Sequence, residues 1–268
     1  LKNHDIQIAR YEEVGILQIT GCVNSQKTHL AYALGDGFEY RVIAFSSEEK
    51  AKQAYEEYRI LEENVYLYPA KDLLFYHANI KGAVLTGKRM EVLRALVEKQ
   101  PGDPVTVFTT MDAFLDGLPR PEVLRETKIQ IRTGDTLDFQ KLQRELSELG
   151  YARESQIEGP GQFAVRGGIL DLFPLTEEVP VRIELWGDEV DSIRSFDVES
   201  QRSIENLESA VIYPASENWT KETDTVPFLN YFPKEKSLVF LDEPVRLLEA
   251  SEIVEQEYFH SLENREDA

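Results

Sequence analysis

The sequence contains a single cysteine, Cys22, in 268 residues. No intrachain disulfide framework can be built from one thiol, and such a chain suits a reducing cytoplasm. Long hydrophobic runs are missing as well. The longest, Val105 to Phe108 and Leu238 to Leu241, are strand-sized and far short of the roughly 20 apolar residues of a membrane-spanning helix. Leu1 to Asp5 carry no basic-plus-apolar signal pattern. Basic residues are scarce: 29 Lys and Arg face 49 Asp and Glu, a formal charge of −20. Nonspecific nucleic-acid binding rests on neutralising phosphates with Lys and Arg, so DNA binding by this chain alone is disfavoured. Histidines 4, 29, 77 and 260 are scattered without metal-ligand spacing, and no metal site is expected.

What is present is core material. Hydrophobic residues make up 42% and aromatic residues 10%, enough for two domains or for one domain inserted into another. The first stretch alternates strand and helix signals. Gly15 to Thr20 reads as a buried strand and Lys27 to Leu34 as a helix start. Tyr40 to Phe45 reads as a second strand. Ser46 or Ser47, with Glu48 and Glu49 behind it, looks like the cap and acidic first turn of a helix reaching about Leu61. Val65 to Tyr68 and Val105 to Thr109 are further strands, and Lys88 to Glu98 has a helical period. Alternating buried strands and helices predict a parallel sheet covered by helices.

The pattern changes near Thr127. Phe139, Leu142, Leu146 and Leu149 share one helix face that Gly150 terminates. Closely spaced strands follow at 162–166, 168–173, 180–186 and 189–196, with Gly187-Asp188 as a hairpin turn. Residues 127–214 are therefore expected to form a separate antiparallel α+β domain. A buried strand returns at Ser237 to Leu241, followed by an acidic helix from about Pro244 to the end. That strand could complete the first sheet, which would make residues 1–126 and 215–268 two segments of one domain and 127–214 an insertion.

Two constellations carry chemistry. Gly21-Cys22-Val23-Asn24-Ser25-Gln26-Lys27-Thr28 follows a strand and opens a helix, the place of a phosphate-binding P-loop. The pattern demands glycine just before the lysine, and Gln26 stands there; its Cβ narrows the cradle. Far downstream, Asp242 and Glu243 end a strand as a Walker B acidic pair would, where Mg²⁺ is held. An ATP site and a decayed ATP site kept as scaffold are both open, and the missing glycine favours the decayed one, with Lys27 solvated or ion-paired. Cys22 lies in this loop, where a helix N-terminus could lower its pKa or where it is simply a small apolar filler. Carboxylate pairs such as Glu177-Glu178 and Asp188-Glu189 carry little information in so acidic a chain.

The second constellation is Pro180 to Trp186. Alternation puts Val181, Ile183 and Leu185 on one face and Arg182, Glu184 and Trp186 on the other. Arginine beside a large aromatic is the composition of an interface hot spot. Nearby, Phe163 and Val165 should face the core while Arg166 points away; Arg153 follows the helix end, and Phe173 closes its strand before Pro174. Alternation alone leaves a second reading open: an ordinary surface ion pair, with Trp186 covering a core edge.

At these residues the sequence resembles a family. Gly159 to Pro174, Pro180 to Leu185, Asp191 to Asp197 and Ser200 to Ser203 are similar to the signature of the bacterial transcription-repair coupling factors (Mfd), as are Val65 to Ala70, Arg89 to Val97, Tyr231 to Pro233 and Leu241 to Pro244. The resemblance covers nearly the whole chain. It implies a RecA-like (P-loop NTPase-like) domain in two pieces, similar to the excision-repair subunit UvrB, with an inserted domain that binds UvrA. UvrB-type proteins keep a complete P-loop and a long DNA-gripping hairpin; this chain has Gln26, and only Lys71 to Gly87 where the hairpin would stand. The resemblance implies a vestigial nucleotide site at Gly21, Gln26, Lys27, Thr28, Asp242 and Glu243. It assigns UvrA contacts to Arg153, Arg166, Arg182 and Glu184, with Phe173 as an addition, and Ala164 replaces a further arginine of some relatives. It also implies a surface masked by the family's translocase region. Contacts with RNA polymerase and DNA, and use of ATP and Mg²⁺, fall to other parts of a longer chain. The stretch from Ala215 to Val226 is shorter than the family's helical segment there. No catalytic residue, cofactor or membrane contact is expected in this region.

Overall fold

The computed structural model describes residues 7–11, 15–23, 25–71, 79–217, 225–249 and 251–252. The chain opens with an antiparallel hairpin of β1 (Gln7–Tyr11) and β2 (Ile16–Thr20). The strand expected to be buried at Gly15 to Thr20 is thus an exposed hairpin arm, with Ile16 56% and Leu17 39% accessible. Apolar composition marks a strand, but it does not say which partner or which layer will cover it. Helix α1 (Ser25–Gly35) follows, then β3 (Tyr40–Phe45) and α2 (Glu48–Tyr58). Ser47 is the α2 N-cap: its hydroxyl accepts from the Lys50 amide, while Glu48 and Glu49 sit in the positive first turn. Next come β4 (Val65–Tyr68), α3 (Asn79–Glu98), β5 (Val105–Thr110), α4 (Met111–Phe114), β6 (Gly117–Pro119) and α5 (Pro121–Thr127).

The middle of the chain is built differently. β7 (Ile129–Arg132) leads through a turn to α6 (Phe139–Glu148), capped by the Asp138 carboxylate on the Lys141 amide. Gly150 ends this helix at φ +91°, a conformation that favours glycine. Then follow β8 (Ala152–Glu154), β9 (Gln162–Arg166), β10 (Ile169–Phe173), β11 (Val181–Trp186), β12 (Glu189–Phe196), β13 (Ser203–Leu207) and β14 (Ser209–Ile212). Strands β8 to β13 form a six-stranded sheet in chain order, antiparallel except for β8 beside β9. β14 turns back to pair with β7. One face of the sheet packs on α6 through Leu142, Leu146, Phe163, Leu170, Leu172, Val181, Ile183 and Ile193, all buried. The alternation read from Val181, Ile183 and Phe163 reflects this layer.

The chain then returns through β15 (Thr225–Pro227), which pairs with β6, and two short 3₁₀ turns to β16 (Ser237–Leu241). β16 pairs parallel with β3, giving a parallel sheet in the order β16-β3-β5-β4. β5 is buried along its whole length, as a strand covered on both faces must be. One side packs on α1 and α2 (Ala31, Ala51, Tyr58, Phe108), the other on α3, α5 and Phe228 to Phe232 (Leu93, Leu96, Leu124). Residues 244–249 are helical; the rest of the acidic helix expected to run to the end, beyond 252, lies outside the described residues.

Candidate partner-binding face

The sheet face opposite α6 is built by the β10 register. Asp171 stands across from Ala164 on β9 and from Arg182 on β11, and Ile169 stands across from Arg166 and Glu184. Side chains directly opposite one another share a face, so Arg166, Asp171, Arg182 and Glu184 project together. Asp171 is only 2% exposed, yet its carboxylate serves two arginines. Arg182 donates from Nε to Oδ1 at 2.6 Å and from Nη2 to Oδ2 at 2.9 Å, and Arg166 donates from Nη2 to the same Oδ2 at 2.6 Å. Such a two-pronged guanidinium–carboxylate bond fixes orientation as well as charge. The Arg182 Nη2 also donates to Gln201 Oε1 at 2.9 Å, and its guanidinium lies 4.4 Å from the Phe196 ring centroid. The Asp171 hydrogen bonds raise the Arg182 pKa above its ordinary value, and the side chain keeps its charge.

Glu184 is paired with Arg194 of β12 and accepts from Ser192 Oγ at 3.3 Å. The face therefore carries Arg166, Arg182 and Arg194 against Asp171 and Glu184, a small excess of positive charge on a chain of −20. A bulge after Glu184 and the turn at Gly187 (φ +64°) follow, and Trp186 projects 85% exposed. The reading in which Trp186 covers a core edge is excluded.

Two residues grouped with this face from sequence do not stand open on it. Arg153 is opposite Phe163 in the parallel β8–β9 pair, so it belongs to the α6 side and lines a groove with Gln143, Arg144 and Glu148. Phe173 is 8% exposed and packs with Ile157, Ala164 and Phe196 in a small second core; that core covers the end of the face on which Phe173 projects. Asp171 and Gln201 were missed as site residues. A lone carboxylate inside Ile-Leu-Asp-Leu-Phe was the available signal for the first.

At the P-loop-like segment, the structure does bring the distant residues together. Lys27 Nζ is 2.6 Å from Asp242 Oδ1, and Lys50 Nζ is 2.6 Å from Glu243 Oε2. Glu243 sits at φ +52°, and its carboxyl is held below the ordinary range by the Lys50 hydrogen bond. Gln26 turns its side chain back so that Oε1 accepts from the Val23 amide at 3.1 Å. Thr28, 6% exposed, donates to Glu57 at 3.1 Å. Gly21 adopts φ +89°, and Cys22 is half-buried. Among the described residues, no group of three or more His, Cys, Asp or Glu is arranged to hold a metal ion, and no helix is long and apolar enough to cross a membrane.

Comparison with known proteins bears on the first of these two places. Residues 129–218, the span that builds the arginine face, match the UvrB interaction domain family. That span is similar to a UvrB interaction domain. It is also related to the transcription-repair coupling factors: it is 39% identical over 156 residues to that of Bacillus subtilis (strain 168), 37% over 153 residues to that of Staphylococcus haemolyticus (strain JCSC1435), and 36% over 155 residues to that of Staphylococcus aureus (strain MRSA252). These alignments cover 57% to 58% of this chain and 13% of each relative. The chain thus corresponds to a small part of their length.

Proposed function

We propose that this chain is a protein-binding adaptor in transcription-coupled DNA repair that recruits UvrA through the open face of its UvrB interaction domain. The observation that carries the reading is the Asp171-anchored Arg166–Arg182 pair beside the fully projecting Trp186, within residues 129–218. Fixed arginines and an exposed aromatic are the groups that dominate interface energetics. Arg153 contributes at the sheet edge on the opposite side, and Phe173 acts by supporting the face. In this reading residues 1–126 and 215–268 form a RecA-like scaffold and 127–214 its insertion. This region performs no catalysis, and RNA polymerase, DNA, ATP with Mg²⁺ and a masking contact with a translocase region belong to the rest of a longer cytoplasmic protein.

The test is titration of the chain against purified UvrA, wild type beside Arg166→Ala and Arg182→Ala. Each truncation of a charged hot spot should cost on the order of 2 kcal/mol, roughly a thirtyfold loss of affinity. Arg166 is half exposed, so its removal leaves the fold intact and isolates binding. Wild-type protein that does not bind UvrA overturns the reading.

A second reading, a weak ATPase, is favoured by the closeness of Lys27 and Asp242. Both charges are already satisfied by each other, and Gln26 fills the loop, which supports a vestigial site. If nucleotide bound the folded chain, millimolar ATP with Mg²⁺ would raise its melting temperature; we expect no shift.

A further inference from the structure

The Asp171 carboxylate cannot be touched by a partner, because the side chain is 2% exposed. Whatever it contributes to recognition must pass through the two arginines it holds. Its Oδ2 accepts from both Arg166 and Arg182. Two guanidinium groups that share one oxygen are held within a few ångströms of each other against their mutual repulsion. Without the negative charge between them, that spacing is unfavourable.

A second latch works from the other side. The turn after β12 is closed by the Gln201 amide on Asp197 O and by Ser200 on the Asp197 carboxylate. It places Gln201 at φ +59°, where a non-glycine side chain is held only by its surroundings. From there Gln201 Oε1 takes the outer N–H of Arg182 Nη2, while its own Nε2 is spent on Val198 O. Arg182 Nε and both Nη2 hydrogens are therefore committed. Among the described residues its Nη1 group makes no hydrogen bond, and neither do Nε and Nη1 of Arg166. What remains is a set of charged donors on two guanidinium groups held by the Asp171 carboxylate, with half of the Arg166 side chain and 15% of that of Arg182 exposed.

We propose that Asp171 and Gln201 are positioning residues that turn Arg166 and Arg182 into a preformed receptor for a carboxylate of the partner. This rests on the adaptor reading. Pre-ordering matters because immobilising a long, rotamer-rich side chain on binding costs about 0.5–1.5 kcal/mol, and the arginines have met that cost before the partner arrives. It also explains why a strongly acidic chain can bind an acidic group here: the local excess of charge is positive.

The experiment is a double-mutant cycle read by titration with purified UvrA, with melting temperatures measured on every variant. Asp171→Asn keeps the shape but removes the charge, and it should weaken binding about tenfold, the size of one charge-assisted hydrogen bond. In the Asp171→Asn background, Arg166→Ala should cause far less than its loss in the wild type, because its geometry is already gone. Asp171→Glu, which restores the charge, should recover part of the affinity. Gln201→Asn tolerates the left-handed backbone but no longer reaches Arg182; it should weaken binding severalfold with an unchanged melting temperature. Should Asp171→Asn not fold, Gln201→Asn decides. Wild-type-like affinity in Asp171→Asn or Gln201→Asn, or losses that simply multiply in the cycle, would overturn the proposal while UvrA binding by the wild type stands. No binding by the wild type would bring down the adaptor reading first.

Discussion

Arg89 is an almost fully buried ion at 1% exposure, and replacing its partner Glu217 with glutamine should be among the most damaging conservative substitutions available. The Arg89 guanidinium, on α3, is bonded through Nε and Nη2 to Glu217, just beyond β14. Its Nη1 donates to Pro69 O at 2.5 Å, and the group lies 4.3 Å from the Tyr68 ring centroid. Asp116 Oδ2 is 2.7 Å from Nη2, and Lys71 is 3.0 Å from Glu217 Oε2. This cluster ties α3 and the loops beyond β4 and α4 to the point where the chain leaves the antiparallel body. Glu217→Gln keeps the volume but leaves a buried cation short of charge, a change worth roughly 3–5 kcal/mol. At about 2–4 °C per kcal/mol for a chain of this size, the melting temperature should fall by roughly 6 to 20 °C in calorimetry at pH 7. The same cluster supplies a contrast. Burial would push the Glu217 carboxyl up, but Arg89 and Lys71 outweigh it, and it titrates below the ordinary range. Glu217 therefore stabilises the fold above the ordinary carboxylate range, and that contribution is lost as pH falls through its depressed folded value. For Asp116 burial outweighs the same two cations, and its carboxyl titrates above the ordinary range. The folded state then takes up this proton earlier than the unfolded chain, so neutralising Asp116 is favourable to folding. Asp116→Asn should change stability at pH 7 by less than about 1 kcal/mol or raise it. Equal losses in the two variants, or a fall under about 2 °C in Glu217→Gln, would refute the reasoning.

Other sites separate support from recognition. Phe173→Ala should destabilise the chain by about 3–5 kcal/mol in urea melts, because it empties the small core shared with Ile157 and Phe196. Trp186→Ala should leave stability within about 0.5 kcal/mol, since the ring is 85% exposed, while UvrA affinity falls. Gly150→Ala should destabilise by at least about 1 kcal/mol in the same melts: the backbone is at φ +91°, and a Cβ there would come 2.6 Å from that of Ser216.

The elements legible in the sequence are those whose own residues dictate them. Ser47 with two following glutamates marks a helix start because the cap and the dipole are local effects. β5 reads as a strand because both of its faces are apolar, and β11 reads correctly because one face is. The strands that escaped notice, β1, β6, β7, β8, β13, β14 and β15, are three to five residues long. β13 is exposed along most of its length, so no alternation betrays it. β2 shows the opposite error: its apolar run promised burial, and it forms an exposed hairpin arm instead. Partner choice for a strand is a tertiary property.

The same distinction governs the candidate site. Alternation assigned Arg182, Glu184 and Trp186 to one face because a period of two needs only the strand itself. It could not assign Arg153, whose face depends on the β8–β9 register. Nor could it separate Phe173 from the contact residues: that side chain does project to the site's side of the sheet, where Ile157 and Phe196 then cover it. Charge is the harder case. In a chain with 49 carboxylates, almost all are interchangeable on paper; of the two that matter here, Asp171 shows only its apolar flanks and Glu217 nothing that Glu177 or Asp188 lacks. What sets them apart is desolvation. A carboxylate tolerates burial only when cations meet it there, and each of these two is met by an arginine from a different strand or helix, 11 or 128 residues away. The acidic residues that matter in this chain are therefore those it has hidden, one fixing the arginine face and the other tying the parallel-sheet body to the end of the antiparallel one.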